Sequence, residues 1–365
     1  MKAAVLSSAP GKLDFEDLIL DEPGPHEVLL RTAAVGLCHS DLHYIDGTWS
    51  TGLPEVLGHE AAGVVEVVGA EVTSVRPGDH VVSCLTAYCG NCAYCLTGRL
   101  ALCENNGELR KRERPALSRA DGSSVGRMGG LGAFAEHMLV HQNAVVAIDP
   151  AMPLDVASVL GCAVITGLGA VFHGAKVRPG ATVAVVGCGG VGIAAIQGAR
   201  LAGAAKVIAV DIQKSALDKA LAVGATHAVD AYSGDPVEAV RTISGGGVDY
   251  AFEVIGSRHT AEQAFSMLGR GGTATILGMV PDHTPIQIKG SDLFFDEKKI
   301  QGSFIGSNRF PVDIPYFVDL YLQGRLHLDD MISLRLPFSK INDGFDTLRG
   351  GGVTRIVLDM SLEQS

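Results

Sequence analysis

Four of the chain's 8 cysteines crowd into one short stretch, as Cys89, Cys92, Cys95 and Cys103. The spacing Cys-x2-Cys-x2-Cys-x7-Cys lets four thiolates close a tetrahedral zinc shell. Such a shell leaves no open position for substrate, so its predicted role is structural. Gly90 and Gly98 allow the loop to wrap. An iron–sulfur cluster also takes four thiolates and is the rival reading. Three other segments carry metal-binding groups far apart in the chain. They are Cys38-His39-Ser40-Asp41 with His43, His59-Glu60 behind Gly58, and Cys162 behind Leu160 and Gly161. Two cysteines and one histidine supply three ligands and leave a fourth position open. A metal with an open position can bind an alcohol oxygen, lower its pKa and polarise the product carbonyl. Taken singly, a lone cysteine is usually a small core residue, and a lone histidine is more often structural. Only the combination points to a site.

A second chemistry is written in Gly187-Cys188-Gly189-Gly190-Val191-Gly192, which fits G-x-G-x-x-G. In that motif Gly187 permits a tight turn, Gly189 lets a pyrophosphate approach the backbone, and Gly192 lets the helix pack close to its strand. The positive end of the helix then faces the phosphates. Asp211 follows 19 residues after Gly192, where a ribose-binding carboxylate is expected. A carboxylate accepts bonds from ribose hydroxyls and repels a 2′-phosphate, which selects NAD over NADP. Lys214 lies nearby and softens that repulsion.

These groups need two kinds of scaffold. Up to about residue 160 the chain is rich in short β-like runs broken by Gly and Pro, such as KAAVL, EVLLRTAAV and AAGVVEVVG. From Ala181 strands alternate with helical spacing: TVAVVG, then IAAIQGARLAGA, then KVIAVD, then KSALDKALAVGA. That alternation predicts a parallel sheet with right-handed crossovers. The length alone suits two domains.

Together and in this order, the motifs resemble the medium-chain zinc alcohol dehydrogenases of liver and yeast type, over nearly the whole chain. The resemblance implies an α/β protein. A GroES-like, mostly-β catalytic domain spans 1–163 and carries a zinc lobe at 89–103. A Rossmann domain spans 164–304, and 305–365 returns to the first domain. It implies two zinc ions per subunit, one held by Cys38, His59 and Cys162 and one by Cys89, Cys92, Cys95 and Cys103. Asp41 then orients His59, and Glu60 sits behind the catalytic zinc. Ser40 takes the alcohol's proton, which passes by the nicotinamide ribose to His43 and water. Thr166 and Val191 lie near the nicotinamide, Gly190 in the phosphate turn, and His39 and Arg355 at the pyrophosphate. Trp49, Leu85, Met128, Met279 and Phe304 fall at pocket-lining positions and imply an apolar pocket for an aliphatic or aromatic alcohol. Their other reading is ordinary core packing.

Two departures matter. His39 stands where liver-type enzymes carry arginine and yeast-type enzymes histidine. The stretch from Tyr44 to Trp49 lacks the acidic pair of the glutathione-dependent formaldehyde branch, which argues against S-hydroxymethylglutathione and leaves it only as the alternative substrate. The segment between Cys103 and Gly132 resembles the dimeric branch, so a homodimer is expected rather than a tetramer.

Other classes fit less well. The net charge of −11 with no basic patch argues against nucleic acid. No apolar run reaches the ~18 residues of a membrane span, and the N-terminus has no signal core, so a cytoplasmic location is expected. A reductase of activated double bonds would not need all three metal ligands. A nucleotide sensor would not need the Ser40 and His43 proton path.

Overall fold

The computed structural model describes residues 1–364, and its contacts divide the chain into two units. The first comprises 1–162 and 309–365. Its spine is the strand Glu27–Leu37, where Val28, Leu30, Thr32 and Ala34 are buried and Arg31 is exposed, the period of two that a sheet imposes. One side of this strand pairs antiparallel with Glu60–Val68, placing Gly36 opposite Glu60. The other side is shared. His137–His141 takes its first half and Arg355–Asp359 its second, with Ile356 opposite Leu37. His80–Ser83, Val145–Ala147 and Ile332–Leu336 complete a seven-stranded sheet. Leu37, Leu57, Phe134, Phe345 and Leu358 lie in the core beneath it. Phe134 and Phe345 meet edge to face, 5.7 Å apart.

The second unit, 163–308, holds a six-stranded sheet in the spatial order His227–Asp230, Lys206–Asp211, Thr182–Val186, Val248–Glu253, Leu268–Ile276, Lys299–Gly302. Every neighbouring pair is parallel. In chain order that is 3-2-1-4-5-6, the doubly wound Rossmann arrangement, whose ligand crevice opens where the order reverses. Val183, Ala184, Val185 and Val186 are all buried, as an apolar run covered on both faces must be. The predicted pairing of a mostly-β domain with a Rossmann domain is therefore the fold. Among the described residues no single helix is long and apolar enough to cross a membrane.

Candidate active site

Sheet register assembles the first donor set. Cys38 follows the last residue of Glu27–Leu37, and His59 precedes the first residue of Glu60–Val68, so the Gly36–Glu60 pairing makes them neighbours. Cys162 ends the turn Ser158–Gly161. A Cβ on Gly161 would stand 2.3 Å from the Ser83 carbonyl oxygen, so glycine lets this turn press onto the sheet. The ligand atoms of Cys38, His59, Glu60 and Cys162 all lie within 4.8 Å of one another. Two thiols and an imidazole are a donor set that suits zinc.

The partners of these donors are fixed. Asp41 is fully buried and accepts from the Cys38 amide at 3.3 Å, the Gly58 amide at 3.1 Å and His59 Nδ1 at 3.1 Å. That leaves Nε2 of His59 for a metal. Burial alone would depress His59, but the Asp41 charge and hydrogen bond hold it well above its usual range. Cys38 is held well below the ordinary thiol range by the hydrogen bond with Cys162, then by Arg355 and His59. Arg355 lies behind the set, almost fully buried. Its Nη2 sits 2.8 Å from Glu60 Oε1 and 3.8 Å from Cys38 Sγ, and Nη1 donates to Leu37 O at 3.4 Å. Its Nε is buried without a partner. Burial pushes Glu60 up to about 8 against the pull of Arg355.

Ser40 and His43 stand one turn apart on the helix His39–Ile45 and so share a face. Ser40 Oγ is 3.6 Å from Cys38 Sγ. His39, the first residue of that helix, is exposed.

The four-cysteine lobe is a separate donor set, also within 4.8 Å. Its Cys89 and Cys95 sulfurs are 3.9 Å apart. A Zn–S bond of about 2.3 Å at a tetrahedral angle requires a separation of about 3.8 Å, so the lobe fits zinc. Amides of Cys89 and Cys92 and the Asn105 side chain donate to its sulfurs, as thiolates require.

In the second unit the three motif glycines have three distinct reasons. Gly187 has φ of +98°, Gly192 would clash at 1.9 Å with Gly187 O, and nothing lies within 4 Å of a Cβ on Gly189. The helix Gly190–Leu201 begins there, with Gly190 and Val191 in its first turn. Asp211 ends its strand and accepts from the Cys188 amide at 2.7 Å and the Gln213 amide at 2.9 Å. Lys214 does not reach toward it. Its Nζ bonds both oxygens of Asp218, at 2.8 and 2.7 Å. Thr166 is buried and its hydroxyl has no partner. The open space over Gly189 and this orphaned hydroxyl suit a dinucleotide.

Of the expected pocket residues, Trp49, Leu85 and Met128 belong to the first unit, while Met279 and Phe304 belong to the second. Met128 is buried, Leu85 and Trp49 are half-buried, and Trp49 Nε1 is an unpartnered donor. Sequence reading missed Glu253. Its Oε1 accepts from Ile255 N, Gly256 N and Thr260 Oγ1 at 2.7 to 2.9 Å, shaping the loop beside Gly187. A carboxylate ending the otherwise apolar Tyr250–Phe252 stretch of the strand Val248–Glu253 was the available signal. It also missed Ile212 and Ile255, large apolar side chains left exposed next to Asp211 and Gly187.

Comparison with known proteins agrees with this geometry. A family model described as an alcohol dehydrogenase GroES-like domain matches 24–150, and one described as zinc-binding dehydrogenase matches 190–321. An NDMA-dependent alcohol dehydrogenase of Amycolatopsis methanolica is 39% identical over 98% of each chain. An alcohol dehydrogenase zinc-binding domain protein from Burkholderia ambifaria has a similar structure, with TM-score 0.94 and 36% identity over 98% of each chain. So does a benzyl alcohol dehydrogenase from Acinetobacter calcoaceticus, with TM-score 0.90 and 33% identity over 98% of each.

Proposed function

The chain belongs to the zinc-dependent medium-chain alcohol dehydrogenase family, and from that premise we propose that it oxidises a primary or secondary alcohol, aliphatic or aromatic, reversibly to the aldehyde or ketone with NAD as hydride acceptor. The carrying observation is the buried convergence of Cys38, His59 and Cys162, whose fourth neighbour, Glu60, is engaged by Arg355. Zinc, when bound, supplies a Lewis acid that acidifies a hydroxyl. The chain's own residues do the rest. Asp41 fixes the tautomer and ring plane of His59. Ser40, whose hydroxyl both accepts and donates, and His43 on the same helix face carry the alcohol's proton outward. Leu85, Met128 and Trp49 offer apolar surface to the alcohol. Gly187, Gly189, Gly190, Val191 and Gly192 hold the pyrophosphate at a helix N-terminus, Asp211 takes the ribose hydroxyls, and Thr166 faces the nicotinamide. Exposed Ile212 and Ile255 suit the flat face of an adenine.

We further propose a homodimer. Phe294 and Phe295 are 78% and 77% exposed beside Leu293, close in sequence to the edge strand Lys299–Gly302. An exposed apolar patch next to an open edge favours a second copy.

One observation favours a second reading. The Amycolatopsis methanolica relative is described as NDMA-dependent, so turnover by this chain that depends on NDMA is the alternative. The test is a steady-state screen of aliphatic and aromatic alcohols and S-hydroxymethylglutathione with NAD, NADP and NDMA. Oxidation of simple alcohols with NAD is expected. Turnover only with NDMA favours the second reading, and a strong preference for S-hydroxymethylglutathione overturns the substrate class.

A further inference from the structure

Two arginines in the unit that holds the metal donors lack any anionic partner. Arg110 closes the turn Glu108–Arg110, and Arg127 ends the strand Ser124–Arg127. Each caps a carbonyl, Arg110 that of Leu85 and Arg127 that of Leu139. Neither forms an ion pair with any described residue. Arg112, by contrast, holds both Asp21 and Glu27. Arg110 Nε is buried with nothing to donate to. Burial, then the charges of Arg112 and Arg110, push Arg127 down to about 10, and burial lowers Arg110 too. A carbonyl cap satisfies a donor but does not neutralise a charge, and both side chains are half-buried.

The position of Arg110 gives that charge a use. Met128 is followed by Gly129 and Gly130, with φ of +58° and +74°. A Cβ on Gly129 would stand 2.0 Å from Leu85 Cδ2 and 3.8 Å from Arg110 Nη1. A Cβ on Gly130 would stand 2.8 Å from Cγ and Cδ of Arg110. Arg110 is thus folded along the glycine turn that joins Leu85 and Met128.

We propose that Arg110 is a specificity residue that receives a carboxylate of the substrate, so that preferred alcohols carry an anionic group remote from the reacting hydroxyl. This rests on the reading of Leu85 and Met128 as the alcohol pocket. Recognition makes and breaks no covalent bond. It supplies the counter-charge the guanidinium lacks, through a charge-assisted hydrogen bond.

The test compares kcat/KM for benzyl alcohol and 4-(hydroxymethyl)benzoate in the wild type, Arg110→Met and Arg110→Lys. The wild type should favour the carboxylate-bearing alcohol by about tenfold or more, the range of a hydrogen bond to a charged group. Arg110→Met should collapse that ratio, and Arg110→Lys should restore part of it. Should Arg110→Met fail to fold, the wild type decides. Benzoate should then compete against benzyl alcohol at least about tenfold better than benzamide does. A wild type that prefers benzyl alcohol, with benzoate no better than benzamide, overturns the proposal while leaving the alcohol dehydrogenase reading intact. If neither alcohol is oxidised, the underlying reading fails. Calorimetric binding of benzoate to wild type and Arg110→Lys, against benzamide, then judges Arg110 alone.

Discussion

At the scale of the residue, the same element type serves opposite ends in this chain. Cys162 stands with Cys38, His59 and Glu60, the proposed catalytic donors, whereas Cys95 stands in a set of four cysteines, the proposed structural one. Cys162→Ala should therefore abolish alcohol oxidation with little change in thermal unfolding. Cys95→Ala should lower Tm or soluble yield, because a structural zinc contributes folding free energy. Calorimetry and turnover measured on both variants check this, and a Cys95→Ala protein that melts normally but has lost activity would reverse the assignment. The proton path gives a second expectation. His43→Gln should slow alcohol oxidation by roughly tenfold, the lower end of general acid–base contributions. Ser40→Ala should cost more, and Ser40→Thr should keep most activity because the hydroxyl survives. Three kcat values decide it, and a His43→Gln enzyme as fast as wild type sends the proton elsewhere. Asp211 carries the third. Asp211→Gly removes the charge that repels a 2′-phosphate and frees the Cys188 and Gln213 amides it now binds. The ratio of kcat/KM for NAD over NADP should fall, and an unchanged ratio would move cofactor choice to another residue.

Secondary-structure elements are held by interactions that differ in their sensitivity to solution conditions. The strand Leu13–Asp17 is tied to the segment following Leu117–Ser118 by a two-pronged contact from Arg119 to Glu16, at 2.6 and 2.8 Å. The Arg119 hydrogen bond holds Glu16 below its usual range, against the opposing push of desolvation. A depressed carboxyl stabilises the fold above its unfolded pKa of ~4.3, and that contribution is lost as pH falls through the lower folded value. Arg119→Gln should accordingly lower Tm at neutral pH, and the gap to wild type should close below about pH 4. A gap that persists in acid would assign the loss to packing. The elements were not equally legible beforehand. The Rossmann half could be read because its signals are local: an apolar run, a glycine turn, an amphipathic helix and Asp211. The donor set could be read only by type, since no spacing rule links Cys38 to Cys162. It is the Gly36–Glu60 register that brings two of the segments together. Lys214 is paired with Asp218, one turn further along the same helix, a contact that the spacing to Asp211 did not suggest. Arg110 and Glu253 left no motif at all. Arg110 caps the carbonyl of Leu85, far from it in sequence, and Glu253 gathers two loop amides and the Thr260 hydroxyl in no recognised spacing.

At the scale of the whole molecule, the exposed Leu293, Phe294 and Phe295 set the expected assembly. Phe294→Asp with Phe295→Asp should convert a dimer into a monomer by light scattering, whereas a wild type already monomeric would remove the proposal. The order of chain segments has a separate consequence. The Rossmann unit is one continuous run, but the strand Arg355–Asp359 lies between Glu27–Leu37 and Ile332–Leu336 in the other sheet. A ribosome releases that strand after the other six of its sheet. Until it emerges, Glu27–Leu37 keeps half an edge unsatisfied, and Glu60 waits beside Cys38 without the guanidinium that balances it. The Cys38 and Glu60 donors thus lack their balancing guanidinium until the residues after the Rossmann unit have been made, while the Rossmann unit can fold first. Synthesis order and active-site completion are coupled, and late-arriving residues, far from the first ligand in sequence, decide when the protein becomes an enzyme.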